Sequence, residues 1–296
     1  MPILTHRRAF LAGLAALLSP LPAGAADFVS ADSVKSASER IAALEARAGG
    51  RLGVFVLDTA SGLSIAHRSD ERFPMCSTFK LLTAAAVLAL VDAGSERLDR
   101  KIPYGTADLL EYAPVTKAHV GEGAMSLGDL CAAAIDWSDN TAANLLLQVI
   151  GGPPAFTRYV RALGDELTRL DRNEPTLNTA IAGDEWDTTT PAAMVGDMRA
   201  VLLGDRLSPG SRRQLETWLI GDRVGDKRIR AGLPPSWRVG DKTGTGDNGT
   251  ANVIAIIRPP DRAPLLAASY YTGSSGSADA LNAVHKEVGG IVAATF

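Results

Sequence analysis

Hydrophobic positions fall into three textures along the chain. From Ala31 to Ala48, Val34, Ile41, Leu44 and Ala48 recur at helical spacing and share one face, and Gly49-Gly50 stops the run. Arg51-Leu-Gly-Val-Phe-Val-Leu-Asp58 reads as a strand, and Ser61-Gly62 turns it into a second strand, Leu63 to His67. From Ser77 to about Gly210 the spacing is helical throughout, predicting helices over 77–92, 126–136, 140–150, 153–164 and 191–203. Thr190 before Pro191 is an N-cap followed by a first-turn proline, and Gly94, Gly151 and Gly204 are stops. No β-branched run in this middle stretch is long enough for a convincing strand. Strand texture returns at Trp237–Lys242, Asn252–Arg258 and Leu265–Thr272, and Asp279–Val292 closes the chain as a helix.

The connections between the late strands are too short for crossovers, so the sheet is expected to be antiparallel. The economical architecture is α/β in the α+β sense: an antiparallel sheet flanked by helices, formed by both termini, with an all-α domain inserted. The expected boundaries are 27–68 plus 221–296 for the α/β domain and 69–220 for the helical one. The active site is expected between the two.

Residues 1–26 belong to neither texture. Arg7 and Arg8 precede a short apolar core, Phe10 to Leu18, which Ser19-Pro20 breaks, and Ala23-Gly24-Ala25 offers a small-residue cleavage pattern. That is a signal peptide, too short to anchor in a bilayer. Arg7-Arg8-Ala9-Phe10-Leu11 resembles the twin-arginine signal, so the expected location is the periplasm, reached folded. With 46% hydrophobic residues the 296-residue chain can build a large core, and its net charge of −3 offers no basic stripe for nucleic acid. Four His and two Cys, with no HxxxH or HExxH spacing, argue against a catalytic metal. No stable membrane contact is expected.

Four short motifs carry chemistry. Ser77-Thr-Phe-Lys80 opens a predicted helix, where positions three apart share a face, so the Lys80 amine sits beside the Ser77 hydroxyl and can serve as its proton acceptor. The start of that helix also offers backbone N–H groups to a developing oxyanion. Read alone, the same four residues are equally an N-capping Ser with a surface Lys. Ser138-Asp-Asn140 lies between two helical stretches, and its bland reading is a helix cap. Lys242-Thr-Gly244 ends a strand, and its bland reading is a charged edge entering a turn. Arg172-Asn-Glu174-Pro175-Thr-Leu-Asn178 has no clean period; the sixteen residues from Arg172 to Asp187 have the size of a large Ω-loop, whose neck an Arg172–Asp187 ion pair could close. Gly244-Thr-Gly246-Asp-Asn-Gly249 matches GxGxxG, but β-branched residues rather than a helix follow it, which excludes a dinucleotide site.

Taken together and in this order, S-x-x-K, S-D-N, E-P-x-L-N and K-T-G resemble the class A serine β-lactamases, most closely their broad-spectrum chromosomal branches. The resemblance covers nearly all of the chain after the leader. It implies hydrolysis of the β-lactam ring of penicillins and cephalosporins through an acyl-serine, with no cofactor, by a monomer. Ser77 would be the nucleophile, and the backbone N–H groups of Ser77 and Thr245 the oxyanion hole. Lys80 and Ser138 would relay protons, and Glu174 with Asn178 would activate the deacylating water. Lys242 and Thr243, in the Lys242-Thr243-Gly244 motif, would bind the substrate carboxylate, and Asn140 would hold the acylamide. Tyr112 would form a cleft wall. A cis Glu174–Pro175 bond is also implied. Whether Lys80 or Glu174 is the base for acylation is left open.

The sequence departs from the family at two places. The strand after K-T-G, Gly249-Thr-Ala-Asn-Val253, has no carboxylate-binding Arg, and Arg228 matches the alternative source, with Arg230 its competitor. The expected disulfide partners of Cys131 and Cys76 are Ala84 and Gly246, so both thiols are expected to be free. A D-alanyl-D-alanine peptidase and a non-turnover β-lactam sensor share parts of the pattern; the E-P-x-L-N loop and the cleavable leader separate this chain from them.

Overall fold

The structure, a computed structural model, describes residues 29–296. The expected signal peptide lies outside the described residues. In chain order the elements are α1 (Ala31–Ala48), β1 (Arg51–Asp58), β2 (Ser64–His67), β3 (Phe73–Pro74), α2 (Phe79–Asp92), β4 (Lys101–Pro103), α3 (Pro114–His119), β5 (Ala124–Ser126), α4 (Leu127–Asp136), α5 (Asn140–Ile150), α6 (Pro153–Leu163), β6 (Thr188–Thr189), α7 (Pro191–Leu202), α8 (Pro209–Ile220), β7 (Arg238–Gly246), β8 (Thr250–Arg258), β9 (Leu265–Thr272) and α9 (Ala278–Thr295). Five strands form one sheet in the order β2-β1-β9-β8-β7, antiparallel at every pairing. The chain thus lays its first strand against its last, with Val54 opposite Ser269.

Both faces of that sheet are covered. Ile254, Ile256, Leu266, Ala268 and Tyr270 join a core with α2, α4, α5, α7 and α8. Val253, Ala255, Ile257, Leu265 and Ala267, one residue out of phase, join a second core with α1 and α9. Burial on both sides is why β8 and β9 read as continuous apolar runs rather than alternating ones. Among the described residues no helix is long and apolar enough to cross a membrane.

The expected helices form, and α4, α5 and α7 start on side-chain caps. Thr190 accepts from the Ala193 N–H ahead of Pro191, and Asp139 accepts from Ala142 N–H at the start of α5. Six elements escaped the periodicity reading: α3, α8, and the strands of the short pairs β4–β5 and β3–β6. For α8 the signal was present. Ser208-Pro209 repeats the Thr190-Pro191 cap, and Ser208 accepts from the Ser211 N–H. The helix buries only Ser211, Leu215, Trp218 and Leu219, too sparse a stripe to stand out.

One buried feature of the helical layer costs stability. Asp197 of α7 is 2% exposed and its Oδ2 has no partner, nor has Oδ2 of Asp165 beyond α6. Burial, with the Asp165 charge beside it, pushes the Asp197 carboxyl up to about 9. An acid raised in the fold favours folding fully only below its unfolded value near 3.8, and that advantage drains away as pH climbs towards 9. Asp197→Asn, which keeps a donor facing Asp165, is therefore expected to raise Tm, by at least roughly 2 °C at pH 8 and by less at pH 5. A thermal scan at both pH values checks this; a gain that is larger at pH 5 refutes it.

Candidate active site

A cleft of about 380 Å³ opens where the start of α2 faces β7, lined by Ser77, Tyr112, Ser138, Asn140, Asn178, Val224, Arg228, Thr243, Gly244 and Thr245. Lys80, Glu174 and Lys242 lie buried beneath it, so the twelve residues singled out from the sequence converge on one place. Val224 carried no motif and was not anticipated.

Ser77 sits in a 3-10 turn, Cys76–Thr78, that runs directly into α2. Cys76 before it has φ +44°, a left-handed conformation uncommon for a residue with a side chain and typical of functional sites. Ser138, with φ +57°, is held in the same region at the junction of α4 and α5. Strand β7 passes the nucleophile turn so closely that a β-carbon on Gly244 would lie 2.8 Å from Met75 O and 3.2 Å from the Ser77 amide nitrogen. Only glycine fits there, and it brings the Thr245 backbone alongside the turn.

The buried polar groups form a continuous chain. Ser77 Oγ donates to Glu174 Oε1 at 3.2 Å, and the same oxygen is 3.0 Å from Lys80 Nζ. Lys80 Nζ also donates to Ser138 O at 2.8 Å and Asn140 Oδ1 at 2.6 Å, and reaches Ser138 Oγ at 3.4 Å. Lys242 Nζ completes the path, 2.9 Å from Ser138 Oγ and 2.9 Å from Thr243 O. Burial pulls the Lys80 amine down, opposed by Glu174. Lys242 is pushed down to about 7, first by burial and then by the Lys80 charge.

Glu174 is placed from three sides. Asn178 Nδ2 donates to its Oε2 at 2.5 Å, and Asn178 Oδ1 remains without a protein partner. Asn144 of α5 grips its backbone in both directions, donating to Glu174 O and accepting from Glu174 N–H, each at 2.9 Å. Asn144 lies in Thr141-Ala-Ala-Asn-Leu-Leu-Leu147, a stretch that shares the family resemblance, but nothing in the sequence assigned it a role. The loop neck closes as expected: Arg172 Nε donates to Asp187 Oδ2 at 2.5 Å, and Asp187 Oδ1 accepts from the Asp171 and Arg172 N–H groups. The Glu174–Pro175 bond is cis.

Arg228 reaches the cleft, but its fork does not face outward as a free pair. Nε donates to Asn282 Oδ1 of α9 at 3.0 Å, Nη1 to the carbonyls of Gly244 and Asn252, and Nη2 to Thr245 Oγ1 at 2.7 Å. Four of its five N–H groups are consumed, which leaves one Nη2 proton and a polarised Thr245 hydroxyl where a bidentate contact was expected. Burial pushes this guanidinium down to about 10. Arg230 is instead engaged with Asp241 behind β7 and is not in the cleft wall. Tyr112 is 48% exposed at the rim, its hydroxyl donating to Trp137 O at 3.1 Å. Cys76 and Cys131 are free and buried, as the absent partners implied.

A hydroxyl bonded to a carboxylate oxygen that also meets a buried amine, with a second hydroxyl between two lysines, defines a serine hydrolase of the acyl-enzyme kind. The model of the β-lactamase enzyme family matches residues 36–296, and the chain belongs to that family as a class A serine β-lactamase, an enzyme that hydrolyses β-lactams and confers resistance to them. It is 48% identical to β-lactamase OXY-2 of Klebsiella oxytoca, over 88% of this chain and 89% of the relative. It is 48% identical to β-lactamase AST-1 of Nocardia asteroides, over 97% and 94%. The solved structure of an ancestral class A β-lactamase superposes with a TM-score of 0.87 at 62% identity, covering 88% of this chain and all of that one.

Proposed function

We propose that the enzyme opens the β-lactam ring of penicillins and cephalosporins with Ser77 as nucleophile and Glu174 as the base. The observation that carries this is the single oxygen, Glu174 Oε1, within reach of both Ser77 Oγ and Lys80 Nζ. In acylation the Ser77 proton passes to Glu174, and the Lys80–Ser138 path delivers a proton to the leaving lactam nitrogen. The Ser77 and Thr245 N–H groups receive the carbonyl oxygen as it gains charge. Glu174 then hands its proton to Lys80, 3.0 Å away, which restores both groups; in deacylation the carboxylate, oriented by Asn178, takes a proton from the attacking water and passes it to Ser77 Oγ as the ester breaks. Lys242, Thr243, the Thr245 hydroxyl and the remaining Arg228 proton bind the substrate carboxylate, while Asn140 holds the acylamide and Tyr112 walls the cleft.

The test is steady-state hydrolysis of a penicillin and a cephalosporin by wild type and Arg228→Ala. Loss of a charge-assisted contact is worth roughly 1.5–3 kcal/mol, so kcat/KM is expected to fall about 10- to 100-fold, mainly through KM. An unchanged kcat/KM removes Arg228 from carboxylate recognition.

We also propose that the protein works as a monomer in the periplasm, exported by the twin-arginine route. Arg7 and Arg8 ahead of a short apolar core support this. Loss of periplasmic activity when both arginines become lysine, and a monomer by sedimentation, are the expected results; retained export or a dimer refutes the respective part.

A further inference from the structure

Behind the cleft, on the far side of Lys242, two buried carboxyl groups have no role in the reaction as described. Asp241 of β7 is fully buried; its Oδ1 accepts from Arg230 Nε at 3.1 Å and from Arg230 Nη2, and its Oδ2 has no partner. Asp222, just beyond α8 and 4% exposed, accepts from Val224 N–H on Oδ1 at 2.9 Å, and its Oδ2 also has no partner. The two orphan oxygens converge. A β-carbon on Gly225 would lie 2.0 Å from Asp241 Oδ2 and 2.5 Å from Asp222 Oδ2, so glycine alone lets them meet.

Two ionised carboxylates cannot share such a place out of water, since each lacks a donor and each repels the other. One proton between the orphan oxygens satisfies both. Its owner follows from the remaining partners. Asp241 has the Arg230 guanidinium on its other oxygen while Asp222 has only the Val224 N–H, which points to Asp222 as the acid that would carry the shared proton, facing Asp241 Oδ2. Burial pushes both carboxyls up, Asp222 to about 7 with the Asp241 charge adding to the rise, and the Arg230 charge and hydrogen bond oppose the rise at Asp241.

The pair, with one negative charge, stands against a crowded cationic neighbourhood. The charges acting on Lys242 are Lys80 from α2 and Arg228 before the turn Ile229–Gly232, both opposing its ammonium form, and Asp222 and Asp241, both favouring it. Asp136 at the end of α4 also feels Lys242, and Arg230 and Asp226 flank the pair. We propose that Asp222 and Asp241 are a proton-sharing carboxyl pair whose single negative charge keeps Lys242 an ammonium seated on Ser138, making the two acids positioning residues for substrate-carboxylate binding. This rests on the reading that Lys242 binds that carboxylate.

The experiment is the pH dependence of kcat/KM for a penicillin, with Tm measured alongside. Asp241→Asn removes the charge, so the alkaline limit is expected to move down by one unit or more, which reads as about a tenfold greater loss at pH 8 than wild type shows. Asp222→Asn keeps an N–H pointing at Asp241 Oδ2 and the same net charge, so its alkaline limit is expected to stay where wild type has it. A structural role alone lowers Tm in both and moves neither limit, which overturns the proposal. Equal movement in both variants overturns the assignment of the proton. Should Asp241→Asn fail to fold, infrared difference spectra of wild type against Asp222→Asn decide: a protonated-carboxyl band at pH 6 that the substitution removes is expected, and its absence refutes the shared proton. Lys242→Ala separates the two levels. Unchanged kcat/KM there dismisses Lys242 as carboxylate ligand, and the infrared result still reports on the pair.

Discussion

Ser77→Ala will leave a folded protein with no measurable turnover and no covalent label. The loss should be about 10⁴-fold or more, the scale seen when an acyl-enzyme hydrolase loses its nucleophile. Nothing nearby can replace it. Thr78 Oγ1 is spent on Met75 O and the Tyr270 hydroxyl inside the core, and Ser138 Oγ sits between two lysines as a proton carrier. The hydroxyl has one hydrogen bond in the fold, to Glu174, so its removal should cost little stability. Intact-protein mass spectrometry with penicillin is the check. A penicilloyl adduct that persists on the Ser77→Ala protein would reassign the nucleophile.

Glu174→Ala gives the second large effect, and of a different kind. Turnover should fall by about 100- to 10,000-fold, the contribution of a positioned general base, while the acyl-enzyme accumulates. Acylation survives because of what the substitution does to Lys80. Glu174 is the main group opposing the burial that pulls that amine down; without it the neutral form is favoured further, and Lys80 can take the Ser77 proton itself. No comparable base then faces the ester. The loop need not collapse, since Asn144 grips the backbone at 174 and the Arg172–Asp187 neck is untouched. Rapid-quench mass spectrometry should show a burst of adduct followed by a stall. Wild-type turnover in the variant would dismiss Glu174 as the deacylation base, and a wild-type enzyme that stalls by itself would speak for a sensor or peptidase.

How much of this was legible beforehand differs by residue. The sheet was readable because β1, β8 and β9 are apolar runs with turn residues at their ends, and α5 because Asp139 caps a strong stripe. Strand β7 was read too short, to Lys242, because Thr243-Gly244-Thr245-Gly246 has the composition of a turn; pairing with β8 overrides it through Gly246 opposite Thr250. At the site, side chains that belong to motifs were legible and those that act by tertiary approach were not. Asn144 and Asn282 look like ordinary helix polar residues until the fold brings them to Glu174 and Arg228. The Arg228 fork was expected to be free because sequence shows a guanidinium and not the carbonyls of Gly244 and Asn252 that absorb it.

The pairing of β1 with β9 sets the order in which a nascent chain can become an enzyme. Translation delivers Ser77, Lys80 and Ser138 early and Lys242 late, yet β7 can be fixed beside the nucleophile only once β8 has β9 to lean on and β9 has β1. The central ladder therefore closes a loop spanning most of the chain, the kind of long-range closure that folds slowly. Helix α9, which anchors Arg228 through Asn282, leaves the ribosome after every strand of the sheet. Hydrolytic competence thus waits on the late elements: the nucleophile is made well before the cleft it acts in, and β7, β8, β9 and α9 complete the site together.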